Sequence, residues 1–173
     1  MKLISYEEFI EAAKNASIRI INGHVHLSSL DVVQFMWEDA IDFVVFAKLA
    51  LETITTEEQI LFFHEHGIWP SSENQYLFNL ITKALVNEDI ASPSGKYFHF
   101  TSGDRDAAKT LLQIGLQSGW GGLLFGGDNN WFYFNHDGFG IIESSVNVAQ
   151  KLGPLVGLKI IPSTFRTDSS HGA

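Results

Sequence analysis

The chain contains no cysteine, which excludes disulfides, thiolate metal ligands and a thiol nucleophile. Basic residues are also scarce, with 11 Lys and Arg against 20 Asp and Glu and a formal net charge of −9. Because clustered cations supply most of the affinity for a phosphate backbone, and no expected element carries such a cluster, a nucleic-acid partner is not expected. Apolar runs stay well short of the roughly 20 residues that cross a bilayer as a helix, so no membrane segment is expected either. Residues 1 to 15 place acidic side chains where a secretory leader has its apolar centre. A soluble, cytoplasmic protein without a cofactor is the expectation these absences leave.

What is present is enough for one sizeable core: 173 residues, 45% of them hydrophobic. Ser5 and Glu8 have capping-box spacing, and Phe9, Ile10 and Ala13 continue a helical stripe to about Asn15. Asn22-Gly23 is a strong two-residue hairpin signal, which sets Ile20 opposite Val25, Arg19 opposite His26 and Ile18 opposite Leu27. Residues 31 to 52 read as the longest helix, with Val33, Phe43, Val44, Phe46, Ala47 and Ala50 on a broad apolar surface. Thr55 with Glu58 opens a second helix that Gly67 ends, and Ser72 with Gln75 opens a third that runs to about Asn87. Lys96 to Thr101 alternates as a strand, Asp104 to Gln117 is helical, a short helix spans about Val146 to Leu152, and Leu158 to Ile161 is a closing strand. Close joins between successive strands favour antiparallel pairing. The expected fold is therefore a single α+β domain over residues 1–163, with a mostly antiparallel sheet packed against helices, followed by a polar tail at 164–173.

The richest stretch runs from Gly119 to Glu143, GWGGLLFGGDNNWFYFNHDGFGIIE. It is an aromatic meander cut by two Gly/Asn/Asp turns. A two-residue turn at Asp137-Gly138 would set Phe134 opposite Ile141 and Tyr133 opposite Ile142. Phe132, Phe134 and Ile141 then share one face, while Trp131, Tyr133 and Ile142 share the other. A small antiparallel sheet commonly wets one face, so a second apolar face calls for another layer, a partner or a ligand.

Candidate chemistry is sparse. His24-x-His26 on a strand puts two imidazoles on one face, but the hairpin register sets Arg19 against His26. His64 and His66, read as helical, diverge by about 200°. No metal site is expected. There is no Gly-x-Ser-x-Gly elbow, and Ser118 has no placed base. His136-Asp137 is the one adjacent His/Asp pair, in a position a turn already explains. The glycines at 119, 121, 122, 126 and 127 lack a Walker lysine and a following helix, so a phosphate cradle is not expected. The helix-turn-helix outline at 56–87 has Lys83 as its one cation in the second helix, with Glu88-Asp89 behind it, which opposes DNA binding electrostatically.

The positive signal is acidic. On a helix over 31–52, Asp31, Glu38 and Asp42 fall within roughly a 40° wedge, and Asp128 and Asp137 occupy turn tips of the meander. In size, charge and its GGLLFGGDNNWFYFNHDGFGIIE meander, the chain resembles the small, acidic, cytosolic α+β immunity proteins of bacterial toxin systems. The resemblance transfers no residue's role. It implies a non-enzymatic protein that binds and neutralises a basic toxin domain, with carboxylates steering the encounter and aromatic residues anchoring it. The contact would then involve Asp31, Glu38, Asp42, Asp128, Trp131, Tyr133 and Asp137, and Glu38→Lys with Asp42→Lys should slow association without disturbing the fold. Two alternatives stand beside it: a small hydrolase or ligand-binding protein with a pocket beside the aromatic sheet and His136 or His99 as a base, and a structural homo-oligomer that buries the second sheet face.

Overall fold

Two short runs, Gln59-Ile-Leu-Phe-Phe63 and Gly122-Leu-Leu-Phe-Gly126, lack the polar and apolar alternation of a half-wetted strand. Both are strands, and both are buried at every position. A strand buried on both sides belongs inside a sheet covered on both faces. A computed structural model of the chain has that architecture; it describes residues 1–21, 24–26, 32–38, 41–54, 56–63, 76, 79–81, 83–84, 97–127, 130–143 and 147–161.

In chain order the elements are β1 (Lys2–Leu3), α1 (Tyr6–Asn15), β2 (Arg19–Ile21), β3 (His24–His26), β4 (Val32–Trp37), α2 (Phe43–Thr53), β5 (Gln59–Phe63), β6 (Tyr97–Phe100), α3 (Arg105–Gln117), β7 (Gly122–Gly126), β8 (Trp131–Phe134), β9 (Phe139–Glu143), α4 (Val148–Leu152) and β10 (Leu158–Ile161). Eight strands form one sheet in the order β1-β6-β5-β7-β8-β9-β4-β10, every neighbour antiparallel, and β2-β3 is a separate ribbon. The α+β class with a mostly antiparallel sheet is as expected. Strands β4 and β5 point the same way four positions apart, so a crossover must join them. Helix α2 is that crossover.

The first face of the sheet carries Phe35, Leu61, Phe63, Phe98, Phe100, Leu124, Phe132, Phe134 and Ile142. They pack on Phe46, Ala47, Ala50 and Leu51 of α2, Ala108, Leu111, Leu112 and Leu116 of α3, and Val148 and Leu152 of α4. The second face carries Ile60, Phe62, Leu123, Phe125, Trp131 and Ile141, covered by Phe9 and Ala13 of α1 with Ala16 and Ile18. Phe9 is the centre of that cover, its ring centroid 4.6 Å from Tyr97, 4.8 Å from Phe62 and 6.0 Å from Phe125. Such a ring contributes on the order of 2 kcal/mol through burial alone.

Helix α1 starts and stops for local reasons. Ser5 Oγ accepts from the Glu8 amide at 3.1 Å, and the Glu8 carboxylate accepts from the Ser5 amide at 2.7 Å. At the other end Ser17 adopts a left-handed φ of 58°, and the Ile18 amide donates back to the Ala13 carbonyl at 2.8 Å. This closure returns Ile18 to the second-face core. The Asn22-Gly23 ribbon keeps its expected register, Arg19 with His26, Ile20 with Val25 and Ile21 with His24. Leu27 lies outside the described residues, as do the polar tail and most of the expected helix at 72–87, of which residues 76, 79–81 and 83–84 are helical.

Three expectations are corrected. Residues 31–52 are not one helix: Val32–Trp37 is β4, and α2 begins at Phe43. Val33, Phe35 and Trp37 alternate onto the first face, and β9 and β10 supply hydrogen-bonding edges on both sides of that segment. Nor does Thr55 with Glu58 open a helix, because the following apolar run is β5, held between β6 and β7; so short an apolar run is compatible with either element until its neighbours are known. The third correction is the β8-β9 register, which pairs Phe132 with Ile142, Tyr133 with Ile141 and Phe134 with Gly140. Asn135 Oδ1 accepts from the amides of Asp137 at 3.1 Å and Phe139 at 3.0 Å, and Gly138 takes a φ of 77°. The turn therefore has three residues, not two. A slip of one residue exchanges faces, so Ile142 joins the first core and Ile141 the second.

Two predictions follow from this packing. A Cβ on Gly140 would stand 2.5 Å from the Phe35 ring, which is fully buried, whereas one on Gly127 meets nothing within 4 Å. Gly140→Ala should lower unfolding stability by about 1–3 kcal/mol in urea titration, as overpacking does, while Gly127→Ala should leave the midpoint nearly unchanged. The second concerns Asp104, which precedes α3. Its carboxylate pairs with the Met1 amino group and accepts from the Thr101 amide at 3.0 Å and hydroxyl at 2.9 Å. These partners, the Met1 ammonium first, hold its pKa at about 2. A lowered carboxylate pKa adds stability that is complete above the ordinary range near 4 and lost as pH falls towards the folded value. The stability gap between the native chain and Asp104→Asn should therefore be widest at neutral pH and close between about pH 4 and pH 2.

Candidate functional site

Among the described residues singled out for a partner, Trp131 is buried and the acidic ones hold different local roles. Asp31 and Asp128 lie outside the described residues. Glu38 follows β4, where its amide donates to the Gly157 carbonyl at 2.8 Å and its carboxylate pairs with Lys159 of β10. Asp42 caps α2, Oδ1 accepting from the amides of Val44 at 3.0 Å and Val45 at 3.2 Å. Glu38 and Asp42 thus share no helix face, because the helix that would have aligned them begins only after Asp42. Trp131 is 4% exposed within the second core, and Tyr133 packs half-buried at its margin. Asp137 is exposed at the hairpin tip, with its carboxylate 3.3 Å from His136 Nε2. Each apolar face of the meander has a layer of the chain's own over it.

A concave site lies elsewhere, along the flank of α1. Cross-strand pairing sets Lys2 beside His99, His99 beside Ile60 and Ile60 beside Phe125, a continuous row over β1, β6, β5 and β7. Above that row α1 buries Phe9 and Ala13, so its adjacent stripe of Glu8, Ala12 and Asn15, spaced at i, i+4 and i+7, overhangs the sheet. Ile4, the turn Thr56-Glu57-Glu58, Gly126 and Gly127 complete a cleft of about 500 Å³. The turn seats closely because Gly126 has no side chain: any Cβ there would run into Thr56, whose hydroxyl donates to the Glu58 carbonyl at 2.8 Å. A smaller cleft of about 130 Å³ lies on the other side of this turn, between Gln59, Phe100, Ser102 and Arg105, and shares Thr56 and Glu57.

The larger cleft has an apolar floor and a polar mouth. Ile60 and Phe125 are buried, and Glu8, Glu57 and Glu58 are exposed at the rim. His99 Nε2 lies 3.5 Å from the Glu58 carboxylate. Glu8 has its pKa lowered chiefly by the Ser5 amide, which outweighs an opposing desolvation, with lesser help from the Ser5 hydroxyl and from Lys2 and His99. This arrangement can hold a cation that carries an apolar stem, and an imidazole beside a carboxylate can also relay a proton. Among the described residues no three His, Asp or Glu side chains converge in a way that could hold a metal ion. The side chains of His24 and His26, and both His64 and His66, lie outside the described residues.

His99 was legible as a candidate, since Tyr97 and His99 alternate with Phe98 and Phe100. Glu57 and Glu58 were not. The capping-box spacing of Thr55 and Glu58 pointed to a helix start, and only the pairing of β5 with β6 brings Glu58 to His99. Comparison of the chain with protein-family models, with curated proteins and with solved structures found no match. No helix among the described residues is long and apolar enough to cross a membrane.

The capping role of Asp42 changes one expectation. Asp42→Lys removes the acceptor for two helix amides and sets a cation at a helix N-terminus, so it should cost about 0.5–2 kcal/mol in chemical denaturation. Glu38→Lys, at an exposed ion pair with Lys159, should cost less than about 1 kcal/mol.

Proposed function

We propose that this protein is a non-enzymatic, acidic binding protein that neutralises a basic protein partner, in the manner of the toxin-immunity proteins its sequence resembles. One observation carries the reading. Glu8 of α1 and Glu57 and Glu58 on the turn before β5 are exposed in the lining of one cleft, and Glu7 and Glu11 are exposed elsewhere on the same helix, in a chain whose formal charge is −9. Lys2 in the lining and Lys14 in the last turn of α1 offset this only in part. Carboxylates grouped in this way raise the local concentration of a basic partner and speed its encounter, while the cleft floored by Ile60 and Phe125 offers a recess for an anchor. Trp131 and Tyr133 support the sheet from within in this reading, and the acidic contact moves from the expected 31–42 stripe to α1 and the 56–58 turn.

A second reading, a small-ligand protein or hydrolase with His99 as base, is favoured by the His99–Glu58 pair inside the same cleft. The two readings separate by what the native chain carries. Affinity capture from the producing cell should recover a basic polypeptide in stoichiometric amount, and the association rate of the purified pair should fall about tenfold or more between low and high salt. Recovery of nothing but the chain itself, or an association rate indifferent to salt, would remove the lead reading.

A further inference from the structure

We infer that the cleft between α1 and the Lys2–His99–Ile60–Phe125 row receives an arginine side chain of the basic partner, with the guanidinium at the Glu57–Glu58 end and the aliphatic stem over Ile60 and Phe125. This assignment rests on the binding reading above and names the partner chemistry its site takes. The volume of about 500 Å³ falls in the range of ligand pockets, roughly 300–1,000 Å³, and so admits a long side chain with its flanking backbone.

The two ends of the cleft are not equivalent. At one end Glu8 already accepts from the Ser5 amide and has Lys2 beside it, so a further cation there would meet a satisfied acceptor and a like charge. At the other end Glu57 and Glu58 follow one another on an exposed turn. Glu58 is 74% exposed, with His99 Nε2 3.5 Å from its carboxylate. A cation is therefore directed to Glu57 and Glu58. Arginine suits this end better than lysine, because its planar fork bonds carboxylate oxygens in pairs and its weaker hydration lowers the cost of lying against apolar surface.

The test uses the full chain and three small probes: N-acetyl-arginine methylamide, its lysine counterpart and the neutral isostere N-acetyl-citrulline methylamide. Titration monitored by NMR should give saturable shifts at Ala12, Ile60, Gly126 and Gly127 with the arginine probe, weaker binding of the lysine probe and no saturation with citrulline. Glu57→Gln combined with Glu58→Gln, both exposed and so compatible with folding, should weaken the arginine probe about tenfold, and amide dispersion of the free variant checks that it is folded. Equal binding of citrulline, shifts centred away from the cleft, or an unchanged affinity in the double variant would overturn the assignment. Failure of the broader reading is distinguishable. A cleft that binds the arginine probe in a chain that captures no basic protein keeps the site and ends the partner reading. A captured basic partner whose affinity ignores Glu57 and Glu58 keeps the partner and ends the cleft assignment.

Discussion

The constraint on which the rest of this fold depends is that its central strands have no polar face. β5 and β7 are buried throughout, and removing that much apolar area from water requires a layer on each side. The first layer is large, because α2 and α3 both cross the sheet on their way between strands of equal direction. The second is small. It depends on one ten-residue helix, anchored chiefly by Phe9 against Phe62, Tyr97 and Phe125.

That asymmetry creates the cleft. A single helix covers the middle of the second face and leaves the row from Lys2 to Phe125 partly open beneath its flank. Both ends of α1 are closed by local hydrogen bonds, the capping box at Ser5 and the left-handed turn at Ser17. The overhanging stripe of Glu8, Ala12 and Asn15 is held in place by the same contacts that bury Phe9. Structural cover and candidate binding surface are two sides of one helix, and the acidic side chains it presents to solvent are those its amphipathic pattern requires.

Much of this was legible. The α1 capping box, the β2-β3 register, α3, the three strands of the meander and β10 all follow from local pattern and turn chemistry. The failures share a cause. Val32–Trp37 and Gln59–Phe63 are short apolar segments whose spacing suits a helix as well as a strand, and each became a strand because two neighbouring strands offered it hydrogen-bonding edges. The meander's register turned on one side chain, Asn135, which accepts two amides and lengthens the turn by a residue. With β4 formed, the acidic wedge of Asp31, Glu38 and Asp42 lost its helix. Glu38 and Asp42 took up an ion pair and a cap instead.

The sequence by itself determined that this is an acidic, cysteine-free α+β chain with an aromatic antiparallel meander carrying apolar residues on both faces, because composition, turn residues and short-range periodicity are local properties. Only the tertiary structure decided which strands the ambiguous segments would become, which of Ile141 and Ile142 would face each core, and where carboxylates would gather. Strand pairing joins residues far apart in the chain. Lys2, Ile60, His99 and Phe125 belong to four separate segments, and nothing in any one of them specifies that a row of cross-strand contacts will bring them beneath α1.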